Sequence, residues 1–469
     1  MRGRYLWITL AFVVSMLAVA ACATPTPQVI KETVVVKETQ IVEKPQVIKE
    51  TQVVEKPVEK VVTATPVPSK IAGTIRLGSW DSGDALEPFN NAIKSFEAQY
   101  PKAKIQLEAV PQGYGDKLLT QFAAGTAPDI FQVGDGDVAR FVARGVVEDL
   151  EPYIRGDNPL DMNVFFPKIA AIGQVVGKTY LLTKDYSPLV LYYNKTLFDE
   201  AGVKYPDENW TWEDFLAAAK ALTKTDASGK VIQWGVQLPD SWGDPYWVRG
   251  LSPIIYQNGG ELISPDGKKV SGYLNSPQTI EAVQWYVDLF LKHKVAPTKA
   301  DVEALAGQDL FQTGKVAMLW TGRWPLKDFQ KNPKLNFGTA QLPKGKQRAN
   351  SICWAGFAIY SKSQNKDTAW AFLKWIAAEQ GAQEFAKYAF TAVQPIAELQ
   401  GLNTDPYNAP IIKDLEFVHP LPEFTNPKFG ECVETPFRTA LEQVFLQGKD
   451  VKAALDEVAT KADTCLAQQ

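Results

Sequence analysis

From residue 73 the chain alternates between two periods. GTIRLGSW (73–80) alternates as a strand does, and DALEPFNNAIKSFEAQ (84–99) then puts Leu86, Phe89, Ile93 and Phe96 on one helical face. KIQLEAV (104–110) is again a strand. YGDKLLTQFAAG (114–125) is a helix closed by a glycine cap, PDIFQVG (128–134) a third strand, and 136–145 a third helix. Repeated strand–helix units leave few architectures open, because each helix must cover a face of the sheet built by its neighbouring strands. They predict an α/β fold with a parallel-rich sheet. About 400 residues follow residue 70, which suits one large two-lobed unit or two domains.

What precedes the alternation is a different kind of chain. MRGRYLWITLAFVVSMLAVAAC has a basic start, a short apolar run and small closing residues, so 1–21 reads as a secretory signal. The run is short for a membrane span, which needs about 20 apolar residues. Val19-Ala20-Ala21-Cys22 resembles a bacterial lipobox, which implies lipidation of Cys22 and a membrane anchor. Residues 29–57 then repeat every six: QVIKET, VVVKET, QIVEKP, QVIKET, QVVEKP, counting from Gln28. That period matches neither a helix nor a heptad. Pro45, Pro57, Pro66 and Pro68 forbid a continuous helix. Residues 22–70 are expected as an extended or polyproline-like tether, in preference to a short hexapeptide β-helix.

Composition excludes several chemistries. The two histidines, His293 and His419, lie far apart, which argues against a zinc centre or a histidine-based triad. No phosphate-cradling glycine loop occurs at a strand–helix junction. With a net charge of −4 and no basic tract, nothing points to nucleic acid. No metal or cofactor is expected. Besides Cys22 the chain has Cys353, Cys432 and Cys465. Residues 436–447 and 450–465 read as two helices; if they form an antiparallel hairpin, Cys432 and Cys465 return to the same end and are expected to bond. Cys353 lies in an apolar strand and reads as a buried thiol.

Along the body, GTIRLGSW, FEAQYPKAKIQLEAV, LLTQFAAGTAPDIFQVGDGD, LVLYYNKTLFDEAGV, NWTWEDFLAAAKALT, GKVAMLWTGRW and AWAFLKWIAAEQGAQEFAK occur in an order that resembles the extracellular solute-binding proteins, family 1, which serve ATP-driven sugar importers. The resemblance covers most of 73–465. It implies a two-lobed periplasmic-binding-protein-like fold (type II), with mixed central sheets flanked by helices and a hinge between lobes. The first lobe is then expected at 71–168 and 335–394, the second at 169–334 and 395–469, with crossings near 166–172, 334–340 and 392–396. It also implies a non-catalytic, monomeric protein that captures a sugar by lobe closure and delivers it to the membrane permease of an ABC importer. A tethered glycoside hydrolase, or a sensor or adhesin of the same fold, remains the alternative.

A sugar offers hydroxyls at its rim and flat C–H faces, so its site needs planar polar groups and aromatic rings. In the first lobe the candidates are Trp80 and Asp81 after the first strand, Asp135 and Asp137 in GDGD, and Trp354 in CWAGFAIY. In the second they are Asp185 and Tyr186, Trp242 and Trp247 in SWGDPYW, Trp320, Arg323 and Trp324 in WTGRW, and Phe424. The bland readings stand beside these: a packed Trp, or an Asp that caps a helix. Trp285, Trp370 and Trp375 lie in apolar helical runs and read as core. Trp210 and Trp212 brace a helix start, where Thr211 and Asp214 are spaced as a capping box.

Overall fold

The computed structural model describes residues 33–40, 52–59, 70–134, 137–239, 244–305, 308–402 and 404–468. The chain divides into two compact units, Met1–Pro68 and Ser69–Gln469. In the first, β1 (Thr33–Gln40) and β2 (Gln52–Glu59) pair antiparallel, with Thr33 opposite Glu59 and Gln40 opposite Gln52. The described segments of the repeat are extended, as Val and Thr favour, and they pair with each other. A repeating sequence supplies its own partner strand. The signal stretch and Cys22 lie outside the described residues.

The second unit contains β3 (Gly73–Ser79), β4 (Ala103–Ala109), β5 (Ile130–Gly134), the short β6 (Gln174–Val175) and β7 (Lys178–Thr179), β8 (Leu182–Pro188), β9 (Val190–Asn194), β10 (Lys224–Thr225), β11 (Val231–Gln237), β12 (Val316–Thr321), β13 (Phe337–Ala340), β14 (Ile352–Ile359) and β15 (Phe390–Thr391). One sheet has the order β15-β8-β14-β5-β3-β4, the other β10-β11-β12-β9-β13. β3 runs parallel to β4 and β5, as the strand–helix alternation predicts, and β14 closes against β5 antiparallel. β9, β12 and β14 are buried along their whole length. That is the mark of strands covered on both faces by helices. Thr211 and Asp214 form the reciprocal capping box at the start of the helix Trp212–Leu222.

The chain crosses between the sheets at Leu189 and again between Ala340 and Ile352; after Thr391, in the last strand of the first sheet, it crosses a third time to helices that pack in the core of the second sheet. The first crossing lies beyond the expected 166–172. Pro167–Ala170 is a helix packed on β8, where Thr183 Oγ1 donates to the Ile169 carbonyl. The second lies beyond 334–340, which β13 occupies in the second sheet. Asp185 and Tyr186 therefore sit on a strand of the first sheet, not on a loop of the second lobe. β8 escapes a reading from sequence because its Thr, Lys, Asp and Ser look like a loop; pairing with β14 and β15 makes it a strand.

Two buried side chains tie the three crossings together. Asn350 Nδ2 donates to the Leu189 carbonyl (2.8 Å) and to Asp414 Oδ2 (3.0 Å), and Asn350 Oδ1 accepts from the Leu189 N–H (3.2 Å). Asp414 also accepts from Gln341 Nε2 (2.7 Å) and the Leu342 N–H (3.2 Å). Burial pushes the Asp414 carboxyl up to about 6, against the pull of these donors and of Arg348. A folded-state value raised above the unfolded one gives stability that is full below about pH 4 and lost as pH rises through about 6. A rise of roughly two units corresponds to about 3 kcal/mol. Asp414→Asn removes the titration. The difference in unfolding free energy between wild type and variant is expected to shift by about that amount between pH 4 and pH 7, in the direction of a relatively weaker wild type at high pH. Urea unfolding of both proteins at the two pH values checks this; parallel pH profiles would show that Asp414 does not titrate in this window.

At the C-terminal end the helices Thr435–Gln447 and Val451–Ala467 form a hairpin through Gly448, whose φ is +66°. Cys432 and Cys465 are bonded, with their Cα atoms 5.6 Å apart. Cys353 is buried on β14.

Candidate functional site

The polar and aromatic candidates of the first sheet gather at the ends of β3, β5, β8 and β14. Trp80 follows β3 and lies edge-to-face with Tyr114, ring centroids 5.6 Å apart. Its ring rests over Gly134 at the end of β5, where any Cβ would come within 3.1 Å of it. Glycine there gives the indole room; a Cβ would require the ring to shift by a few tenths of an ångström. Asp81 is held by Ser79, whose Oγ lies 2.9 Å from Asp81 Oδ2. Trp354 is buried on β14 opposite Tyr186 of β8, and Tyr186 packs against Phe166 and Phe390. Burial pushes the Tyr186 hydroxyl up to about 12, so it stays a neutral donor.

Two neighbours on β8 form a pair that sequence reasoning missed. Lys184 Nζ donates to Asp185 Oδ2, and the ammonium lies 5.0 Å from the centroid of the Phe385 ring. Burial works against the charge, but Asp185 and Asp81 together hold the Lys184 ammonium above its usual range. Gln132 was missed as well. It is a buried amide in the otherwise apolar run Ile130–Gly134, within 2.7 Å of Ser79 Oγ. One polar side chain inside an apolar strand was the available signal, since a buried amide needs a partner.

The second sheet contributes the loop after β12. Arg323 is buried, donating from Nε to Asn408 Oδ1 (2.6 Å) and from its backbone N–H to Ser187 Oγ (2.9 Å). Its guanidinium stacks 4.8 Å over Phe390 of β15. Burial draws it below its usual range, and Tyr192, Asp405 and Asp185 pull back. Arg323 thus joins the second sheet to the strand that carries Asp185. Trp324 folds back over Gly322, where a Cβ would lie 1.9 Å from the ring, and meets Trp247 at 6.3 Å. Trp320 is a correction. It is 0% exposed and packs on Phe215, because both faces of β12 are covered and its side chain points into the core.

Asp135 and Trp242 lie outside the described residues, as do the side chains of Asp137 and Phe424. Trp370 and Trp375 are buried, and Trp285 stacks on Trp212 at 4.3 Å. One ion pair spans elements of the two sheets. Lys331, on the helix Leu326–Lys331, reaches Asp84 after β3 at 2.7 Å. Beside it Lys327 lies 3.4 Å from the centroid of the Tyr388 ring. Among the described residues no cluster of His, Cys, Asp and Glu could hold a metal ion.

Comparison with known proteins gives this geometry a context. Residues 79–383 match the family model described as bacterial extracellular solute-binding protein. A binding protein of Brucella abortus is 27% identical over 414 residues, covering 84% of this chain and 94% of that protein. A galactooligosaccharide-binding protein of Bacillus subtilis is 23% identical over 398 residues, covering 82% and 87%. Among solved structures, an ABC substrate-binding protein of Listeria monocytogenes in complex with cycloalternan superposes with a TM-score of 0.74 at 27% identity, covering 84% of this chain and 99% of that one. The family model spans well over half of the chain and the two-lobed architecture agrees with it, so the chain belongs to the bacterial extracellular solute-binding protein family.

Proposed function

We propose that this protein captures a carbohydrate of two or more sugar units between its lobes and delivers it to the membrane permease of an ABC importer. The observation that carries this reading is the seam at Arg323. There the Trp-bearing loop of the second sheet abuts the strand of the first that holds Asp185 and Tyr186. Carboxylates of the first lobe and rings and a guanidinium of the second thus lie close to one boundary, which suits a ligand with both flat apolar faces and hydroxyls. Asp81 and Trp80 belong to the same rim, and Trp324 and Trp247 are the rings for stacking.

Capture works by difference. A ligand shifts the lobes toward closure only through contacts that the open form lacks. Moving the balance from 1:99 to 99:1 takes about 5.5 kcal/mol, the scale of two stacked rings and a few hydrogen bonds. Asp81 and Asp185 are each committed to a partner, Ser79 and Lys184. That arrangement suits holding hydroxyls better than the acid–base pair a glycoside hydrolase needs. The lipid on Cys22 and the paired segment after it would keep the protein beside its permease at high local concentration.

The test is a thermal-shift screen with maltotriose, mannotriose and diacetylchitobiose, since a ligand at about 100 times its Kd stabilises by about 2.7 kcal/mol. At least one is expected to raise Tm, with no new reducing ends after prolonged incubation. Silence from the whole panel would count against oligosaccharide capture, and turnover would count against transport.

A further inference from the structure

Three polar groups crowd one hydroxyl at the end of β3. Ser79 Oγ is 2.9 Å from Asp81 Oδ2, 3.0 Å from the Asp81 backbone nitrogen and 2.7 Å from Gln132 Oε1. Ser79 is 0% exposed and Gln132 1%, so water does not relieve the crowding. A serine hydroxyl has one proton to give and two lone pairs to accept with. The Asp81 carboxylate only accepts, so it takes the proton. The Asp81 N–H fills one lone pair. Ser79 Oγ and Gln132 Oε1 would then face each other with no proton between them. Turning the Gln132 amide by 180° keeps its shape and puts Nε2–H against the second lone pair. The buried atom of this amide that has no partner then becomes the carbonyl oxygen instead of Nε2. A buried carbonyl tolerates this better than a buried N–H.

We propose that Gln132 and Ser79 are positioning residues for Asp81. A one-way chain of hydrogen bonds, Gln132 Nε2–H to Ser79 Oγ and Ser79 O–H to Asp81 Oδ2, fixes the carboxylate with one oxygen occupied. Among the described residues no hydrogen bond reaches Oδ1, which is left to accept from a ligand. Lys184, the cation beside it, is already bound to Asp185. This corner therefore selects a ligand group that donates, such as a hydroxyl, over one that only accepts, such as a phosphate or carboxylate. The inference rests on Asp81 belonging to the ligand site proposed above.

Gln132→Glu tests it in the full chain. Glu is close to Gln in size but, when ionised, cannot donate to Ser79; once protonated it can. With maltotriose, or whichever sugar of the screen stabilises the wild type, Gln132→Glu is expected to bind about tenfold more weakly at pH 7.5, the worth of about one charged hydrogen bond. At pH 4.5 it should recover toward the wild type. Gln132→Met is expected to be weak at both pH values, a contrast that loss of packing alone would not produce. Wild-type affinity of Gln132→Glu at pH 7.5, or a pH response identical to that of Gln132→Met, would overturn the chain of donation. A crystal structure of unliganded Gln132→Glu at pH 7.5 decides the matter without any sugar. Asp81 is expected to have turned away from Ser79, and an unmoved Asp81 refutes the proposal. If that structure shows the turn while no sugar binds the wild type, the positioning holds and the ligand class fails.

Discussion

Asn350→Ala is expected to lower unfolding stability by about 3–5 kcal/mol, because it strands several buried partners at once. The Leu189 N–H and carbonyl lose the group that satisfies them, and Asp414 Oδ2 loses one of its two donors, keeping the Leu342 N–H. Asn350 and these partners lie on the three segments that cross between the sheets, so the damage is not local. Loosening them removes the tie that sets how the sheets are joined. Two readouts are expected to change together: the urea midpoint falls, and hydrogen exchange at Leu189 and Leu342 accelerates. A drop in stability with unchanged exchange at Leu189 and Leu342 would mean that Asn350 packs locally and does not hold the crossings.

The other large effect concerns charge. Arg249 and Glu423 form a buried ion pair between the helix Val248–Gln257 and the helix Pro422–Thr425. Both side chains are nearly inaccessible, and Glu423 Oε2 already lacks a partner. Arg249→Met leaves a carboxylate desolvated and unpaired, and is expected to cost about 3–5 kcal/mol. Replacing both residues, Arg249→Met with Glu423→Met, is expected to recover most of the loss, since two apolar side chains of similar volume remove the charge that had to be compensated. Urea unfolding of the two single variants and the double variant gives the coupling directly. If the double variant is as unstable as the sum of the singles, the pair contributes through shape and not through mutual neutralisation.

Much of the fold could be read before any coordinates. The strand–helix alternation from 73 to 145 and the Thr211–Asp214 capping box appear where the residues place them, because both depend on contacts within about four residues. Cys432 and Cys465 meet for a related reason: two helices of similar length joined by a short turn bring their far ends together. The site was legible only in part. Trp320 and Trp324 stand four residues apart in WTGRW, and that stretch by itself does not tell the core indole on the strand from the boundary one on the loop after it. A strand covered on both faces shows no alternation to read.

Neighbouring residues alone were enough for the strand–helix units of 73–145, the Thr211–Asp214 cap and the family to which the chain belongs, because periodicity and local hydrogen bonding are written at short range. Tertiary structure alone decided the membership of β8 in the first sheet, the commitment of Arg323 to Asn408 and Phe390, and the meeting of Leu189, Asn350 and Asp414. Each of these depends on partners tens to hundreds of residues apart. Such partners are chosen by which buried polar groups must find one another once water is excluded, and no local pattern encodes that choice.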